Sequence, residues 1–215
     1  MKDLPLIEIV SAVFLFILLA NRMAKKDQSS SLRLVKVLLV SSIVWLTTNA
    51  LAEILNGTAP KWLLGSLFLI SYVMCPICAL VLGFYADSYI NEKGKVSRLW
   101  FRVPSLLMIV SIIDYIISFA VGNLGTFVGD TFVYQDTIPM LSLVLFYIFL
   151  IYAPTICFIL RKKIGGTQAG FYITFNLLPI GISLIILATI NIDFTVLATA
   201  LSAVVLCYTL EGDLQ

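Results

Sequence analysis

The strongest constraint on the fold is a pair of apolar runs, residues 169–190 and 193–210, which are separated by only two residues. An α-helix of about 20 apolar residues, rising about 1.5 Å per residue, spans the roughly 30 Å hydrocarbon core of a bilayer. Each run therefore predicts a transmembrane helix. Because the connections are short, the chain is predicted to be an all-α membrane protein, a bundle of seven antiparallel transmembrane helices. The five preceding apolar segments lie at 5–23, 33–55, 62–86, 103–122 and 138–160.

The composition also indicates a membrane protein. Of the 215 residues, 60% are hydrophobic and 12% are charged, and the mean hydropathy is +1.05. Soluble domains carry about twice that charged fraction. The first segment has neither a basic region before it nor a small-residue cleavage pattern after it, so we predict a retained helix. The sequence contains no histidine, which excludes histidine metal sites and histidine haem ligation. We expect neither a metal nor a cofactor.

The basic residues predict the orientation of the helices. Of the 14 Lys and Arg residues, all except Lys2 and Lys61 lie between helices one and two, three and four, or five and six. The connection between helices four and five instead carries Asp130 and Asp136. Because Lys and Arg near helix ends are retained on the cytoplasmic side, we predict that the N-terminus is outside and the C-terminus is cytoplasmic.

Two connections on the predicted outer side contain turn residues. Residues 122–133 (GNLGTFVGDTFV) are rich in glycine and β-branched residues, which predicts a short hairpin or a lid over the outer mouth. Asn56-Gly57 indicates a tight turn. With Thr58 it also matches a glycosylation sequon, a motif short enough to occur by chance.

Ionisable and aromatic residues in the outer half of the predicted bundle are candidates for a binding site, because charges inside a membrane are costly. Trp45, Asn49 and Glu53 recur every four residues and so share one helix face. We predict a small-ligand pocket open to the outside. Its candidate lining residues are Asp114, Tyr115, Glu53, Asn49, Trp45, Tyr72, Glu8 and Tyr147.

The simpler interpretation of these carboxylates is that they lie at helix ends and face water. It is favoured for Glu8, Glu53 and Asp193, because end positions avoid most of the desolvation cost. Asp114 is predicted to lie deeper and is the strongest candidate. It either lines a polar cavity or forms a hydrogen bond within the bundle.

The pair Cys75 and Cys78 has the C-x-x-C spacing of redox proteins but falls in the middle of an apolar run. Reactive thiols of this kind usually lie at helix N-termini, so we interpret both as small buried apolar residues. Pro76, Pro154 and Pro179 are predicted to kink their helices, either as hinges or as static bends. The sequence contains no serine–base pair, phosphate-binding loop or set of metal ligands, so we expect no catalytic activity in this chain.

The C-terminal segment resembles a known bacterial module. Residues 175–181 (FNLLPIG), the turn at 191–193, and 199–210 (TALSAVVLCYTL) leading into Glu211 are similar to the last two helices of an N-terminal membrane sensor region. That region precedes GGDEF-type diguanylate cyclases, and related forms precede histidine kinases. No binding residue is carried over from the family.

The resemblance implies a sensor domain at 1–210 and the start of a cytoplasmic linker to an output domain at 211–215. A small-molecule or lipid ligand would bind from the outer side, and helix seven would relay the signal, with the protein as a homodimer in the lipids of the bacterial inner membrane. Nucleic acid is not an expected partner. The alternatives are an intramembrane lipid-modifying enzyme that uses Asp114, Glu53 and Glu8 as acid and base, or a small transporter.

Overall fold

The computed structural model describes residues 4–23, 30–93, 99–134, 140–159 and 162. The predicted helices six and seven, at 169–190 and 193–210, lie outside the described residues. The described part consists of five helices and one hairpin. The helices are α1 (Leu4–Met23), α2 (Ser30–Leu55), α3 (Lys61–Lys93), α4 (Leu99–Val121) and α5 (Met140–Ile159), and the strands are β1 (Gly125–Val128) and β2 (Thr131–Tyr134).

Three of the helices are long and apolar enough to cross a membrane. These spans are Pro5–Met23, Arg33–Leu55 and Lys61–Tyr85, and α4 contains a shorter apolar segment, Ser105–Val121. The chain is thus a helical protein with spans typical of a multi-pass membrane protein. The helix α3 continues through Pro76 to Lys93, beyond its apolar part.

Neighbouring helices pack in chain order and run in opposite directions. Contacts join α1 to α2, α2 to α3, α3 to α4 and α4 to α5, and α5 also touches α3. Glu8, early in α1, bonds Asn49, late in α2, and Ser142, early in α5, bonds Asp114, late in α4. Such pairs require antiparallel neighbours. We call the end with the α2–α3 turn and the hairpin the hairpin end, and the opposite end the basic end.

The bundle is apolar both in its core and on its outer surface. Its main core, formed by α1, α2, α3 and α5, includes the fully buried Leu39 and Leu46. Large apolar side chains such as Phe16, Ile117 and Ile151 are exposed. This pattern suits a surface that faces lipid, with small polar residues at helix contacts. The buried serines of the described part are Ser41, Ser42, Ser71, Ser105, Ser111, Ser118 and Ser142.

Three residues connect α4 to the hairpin, and the first of them forms a tight glycine turn. Gly122 has φ +84°, and the amides of Gly122 and Asn123 donate to the carbonyls of Phe119 and Ser118. This pair of bonds is the Schellman ending of a helix, which favours glycine. Strands β1 and β2 then pair antiparallel around a two-residue turn that begins at Gly129, φ +61°. The predicted hairpin within 122–133 is therefore confirmed.

Candidate functional site

A chain of hydrogen bonds crosses three helices near the hairpin end. Ser71 Oγ of α3 donates to Asn49 Oδ1 of α2 at 2.8 Å, and Asn49 Nδ2 donates to Glu8 Oε1 of α1 at 2.8 Å. Glu8 is 2% exposed. The interpretation that Glu8 faces water at a helix end is therefore wrong. Two of the predicted site residues, Glu8 and Asn49, contact each other, and Ser71 joins them.

The other two residues of the predicted α2 face lie in different surroundings. Trp45 is buried in the main core, whereas Glu53 is exposed. An α-helix turns about 100° per residue, so a repeat of four residues drifts by about 40° at each step. The stripe from Trp45 to Glu53 therefore rotates out of the bundle, with Asn49 half-buried between them.

Two predicted aromatic residues form a contact between α3 and α4. The rings of Tyr72 and Tyr115 are stacked, with centroids 6.0 Å apart and planes at 12°. Offset stacking of this kind contributes roughly 0.5–1.5 kcal/mol beyond area burial. Tyr72 follows Ser71 and Tyr115 follows Asp114, so each ring is adjacent in sequence to a residue of a polar contact.

Asp114 is held between α4 and α5. Ser142 Oγ donates to Asp114 Oδ2 at 2.6 Å and lies 3.3 Å from the carbonyl oxygen of Ser111. Asp114 is half-buried and Ser142 is fully buried. Of the two predicted alternatives for Asp114, the structure contains the hydrogen bond within the bundle. Sequence reasoning missed Ser142, because a serine in an apolar helix looks like a packing residue.

The hairpin is docked onto the helices through Phe132. Its ring stacks on Phe68 of α3 at 4.5 Å, lies 6.0 Å from Phe119 of α4 and meets Phe127 of β1 edge-on at 5.2 Å. Phe132 is 3% exposed. The four rings form an aromatic cluster at the hairpin end, so the hairpin is packed into the bundle rather than extended from it.

The side chain of Asn56, in the α2–α3 turn, binds the backbone of Phe132. Phe132 N donates to Asn56 Oδ1 at 2.7 Å, and Asn56 Nδ2 donates to Phe132 O at 3.0 Å. The amide side chain thus binds Phe132 as a neighbouring strand would. Asn56 Nδ2 is also the atom that a glycan would occupy in the sequon, and in the docked structure this atom is already bonded. A glycan would replace one of the two hydrogens of this nitrogen and would lie beside Phe132.

The basic end contains an ion pair whose carboxylate is buried. Arg102 Nε, early in α4, lies 2.8 Å from Asp87 Oδ2, late in α3. Asp87 is 4% exposed, whereas Arg102 is exposed. The pair joins α3 and α4 at the end opposite to the tyrosine stack.

Two of the residues predicted as candidates from the sequence lie wholly or partly outside the described residues. Tyr147 lies in α5, but its side chain is outside the described part, and so is Asp193. Neither of the described cysteines, Cys75 and Cys78, is in a disulfide. Within the described ranges, no three His, Cys, Asp or Glu residues are grouped as a metal site.

Comparison of the chain with protein-family models, with curated proteins and with solved structures gave no match.

Proposed function

We propose that the chain is the sensor module of a bacterial membrane receptor. In this proposal seven helices cross the inner membrane, with the N-terminus outside and the C-terminus in the cytoplasm, and the hairpin end is the outer end. A small-molecule or lipid ligand binds there, and helix seven relays the change to a cytoplasmic output domain such as a diguanylate cyclase, in a homodimer. The distribution of basic residues supports the orientation, and the C-terminal resemblance supports the relay.

The observation that carries the proposal is the docked hairpin. Phe132 inserts between helices, and two hydrogen bonds to Asn56 hold its backbone. A short hairpin has little stability of its own, so it depends on this docking. In the proposed mechanism, a docked and an undocked state are the two arrangements of the hairpin end. A ligand that binds one of them more tightly shifts the population of both hairpin and helices.

One of the predicted site residues, Tyr72, packs against the cluster that contains Phe68 and Phe132. The tyrosine stack and the Asn49 amide offer aromatic faces and hydrogen-bonding groups at the same end of the bundle. A few polar groups among aromatic walls are the usual composition of a small-ligand site. The receptor proposal uses these groups for binding and requires no reaction at them.

The carboxylates do not favour the enzyme alternative. Acid–base catalysis requires groups within hydrogen-bonding reach of the same substrate atoms. Glu8 bonds Asn49 between α1 and α2, Asp114 accepts from Ser142 between α4 and α5, and Glu53 is exposed. The three candidates thus belong to three different surroundings.

The first experiment tests orientation. Alkaline phosphatase, which is active only outside the cytoplasm, is fused after Asp130 or after Gln215, and a fluorescent protein that folds in the cytoplasm is fused at the same sites. We expect phosphatase activity only from the Asp130 fusion and fluorescence only from the Gln215 fusion. Phosphatase activity from the Gln215 fusion would exclude a cytoplasmic relay.

The second experiment tests sensing. The chain is fused after Gln215 to a diguanylate cyclase domain, and cyclic di-GMP is measured in cells exposed to amino acids, sugars, nucleosides and fatty acids. We expect one class to change the output, and Phe132→Ala to change its basal level. The Thr58→Ala variant, altered at an exposed side chain of the α2–α3 turn, serves as the control. Turnover or liposome transport of a compound by the unfused chain would instead support the alternatives.

A further inference from the structure

The contact between α4 and α5 contains more acceptor oxygens than protons to share among them. Ser142 Oγ lies 2.6 Å from Asp114 Oδ2 and 3.3 Å from the carbonyl oxygen of Ser111. A serine hydroxyl has one hydrogen and can donate to only one of these acceptors. The shorter contact, to Asp114 Oδ2, is the stronger of the two and takes the hydroxyl hydrogen. The carbonyl of Ser111 and the lone pairs of Ser142 therefore keep capacity for a further partner.

The hydroxyl of Ser111 adds an independent observation. Ser111 is 1% exposed, and within the described part of the chain its Oγ is buried without a hydrogen-bond partner. Buried hydroxyls are normally paired, because an unpaired one loses its hydration without compensation. Ser111 precedes Asp114 by three residues, so the two side chains lie on the same face of α4. An additional ligand between them would satisfy this hydroxyl.

No basic residue lies close to Asp114 along α4 or α5. Residues 103–121 of α4 and 140–159 of α5 contain no Lys or Arg. The basic residue of α4, Arg102, lies at the basic end and pairs with Asp87. Asp114 is about 10 Å from the hairpin end of α4, at 1.5 Å per residue, and therefore within the apolar segment Ser105–Val121. A carboxylate at that depth is costly unless a cation or proton neutralises it.

The nature of the oxygens identifies the class of cation. Carboxylate, hydroxyl and carbonyl oxygens are hard ligands, which suit alkali and alkaline-earth ions rather than transition metals. Calcium sites usually combine several carboxylates, whereas this set contains one. One monovalent cation would make the site neutral. We propose that Asp114, Ser142 and Ser111 bind a small monovalent cation, of the Na⁺ type, between α4 and α5. The site concerns one residue of the predicted ligand pocket and holds whether or not the chain is a receptor.

The test uses the full chain, purified in detergent, with Na⁺ as the probe. Binding of radioactive Na⁺ is measured at constant ionic strength, with N-methylglucamine chloride replacing NaCl, and unfolding temperatures are recorded in the same series. We expect saturable binding of one ion per chain and an unfolding temperature that rises with NaCl. Asp114→Asn and Ser142→Ala should lose both effects.

The matched control is Asp130→Asn, which removes the same charge from the exposed turn of the hairpin. It should bind Na⁺ as the wild type does. If Asp114→Asn fails to fold, Ser142→Ala, which keeps the carboxylate, decides the question. The absence of saturable Na⁺ binding by the wild type would overturn the proposal. Unchanged binding by Ser142→Ala would also overturn it.

Discussion

Replacement of Asn56 by alanine is predicted to release the hairpin. The Asn56 side chain makes two hydrogen bonds to the backbone of Phe132, and alanine can make neither. At a net ~1 kcal/mol for each bond, docking should weaken by about 2 kcal/mol. Since 1.4 kcal/mol is a factor of ten in an equilibrium constant, the undocked population should rise about 30-fold.

Hydrogen–deuterium exchange of the purified protein measures this population. An isolated two-stranded hairpin is only marginally stable in water, so undocking should expose the amides of residues 125–134 to exchange. The protected amides of this segment should exchange about 30-fold faster in Asn56→Ala, if two net hydrogen bonds are lost. The amides in the middle of α2 and α3 should be unaffected, because their helical hydrogen bonds remain.

The control is Thr58→Ala, which abolishes the same sequon without removing a contact to Phe132. The Thr58 hydroxyl is exposed and bonds the carbonyl of Leu55 at 3.0 Å. In Thr58→Ala, the amides of residues 125–134 should exchange as fast as they do in the wild type. If Asn56→Ala exchanged no faster than Thr58→Ala, the aromatic cluster alone would hold the hairpin. The hydrogen bonds of Asn56 would then make no net contribution to docking.

Two further predictions concern close contacts near the hairpin end. Gly125→Ala should undock the hairpin, because its Cβ would lie 2.5 Å from the Phe132 ring. Exchange of 125–134 should exceed that of Gly65→Ala, whose Cβ would make only ordinary contacts of 3.8 Å with the rings of Phe119 and Phe127. Asn49→Leu should lower the free energy of unfolding by about 2 kcal/mol, because it removes the donor that bonds the buried Glu8 carboxyl. Adding Glu8→Leu should restore part of this loss. Thermal unfolding in detergent measures the second effect, and a double variant less stable than Asn49→Leu would contradict it.

The elements of the described bundle follow from patterns that are local in sequence. Apolar runs of sufficient length located α1 to α5, and the glycines around Phe127 indicated the hairpin. The apolar segment 62–86 agrees with the span Lys61–Tyr85, and the helix continues beyond it as a polar segment to Lys93. Hydrophobicity marks where a helix is embedded in lipid, whereas helical hydrogen bonding continues beyond that boundary.

The partners within the site depend on contacts that no local pattern encodes. Asn56 and Phe132 are 76 positions apart, and each looks ordinary in its own segment. Ser71 and Ser142 resemble small packing residues until a neighbouring helix brings Asn49 or Asp114 against them. The sequence therefore identified the polar residues that a membrane makes costly, but it did not identify the residues that compensate them.

The distribution of contact types predicts where the bundle moves when the hairpin undocks. Directional hydrogen bonds tie α1, α2 and α3 together through Asn49, and α4 to α5 through Asp114. At the hairpin end α3 meets α4 through the stacked rings of Tyr72 and Tyr115, a contact less directional than a hydrogen bond. At the basic end an ion pair holds α3 to α4. The α3–α4 contact should therefore open at the hairpin end and pivot at the basic end.

Distances between spin labels test this pivot. Labels are placed at exposed positions in a variant without the native cysteines, one pair at Leu51 and Ile117 across α2 and α4, and a second at Val10 and Leu51 across α1 and α2. Asn56→Ala should lengthen or broaden the first distance and leave the second unchanged, because the hydrogen bonds of Asn49 keep α1 and α2 together. Equal changes in both pairs would mean that the bundle loosens as a whole. The hairpin would then be a general stabilising element rather than a device that acts on one helix contact.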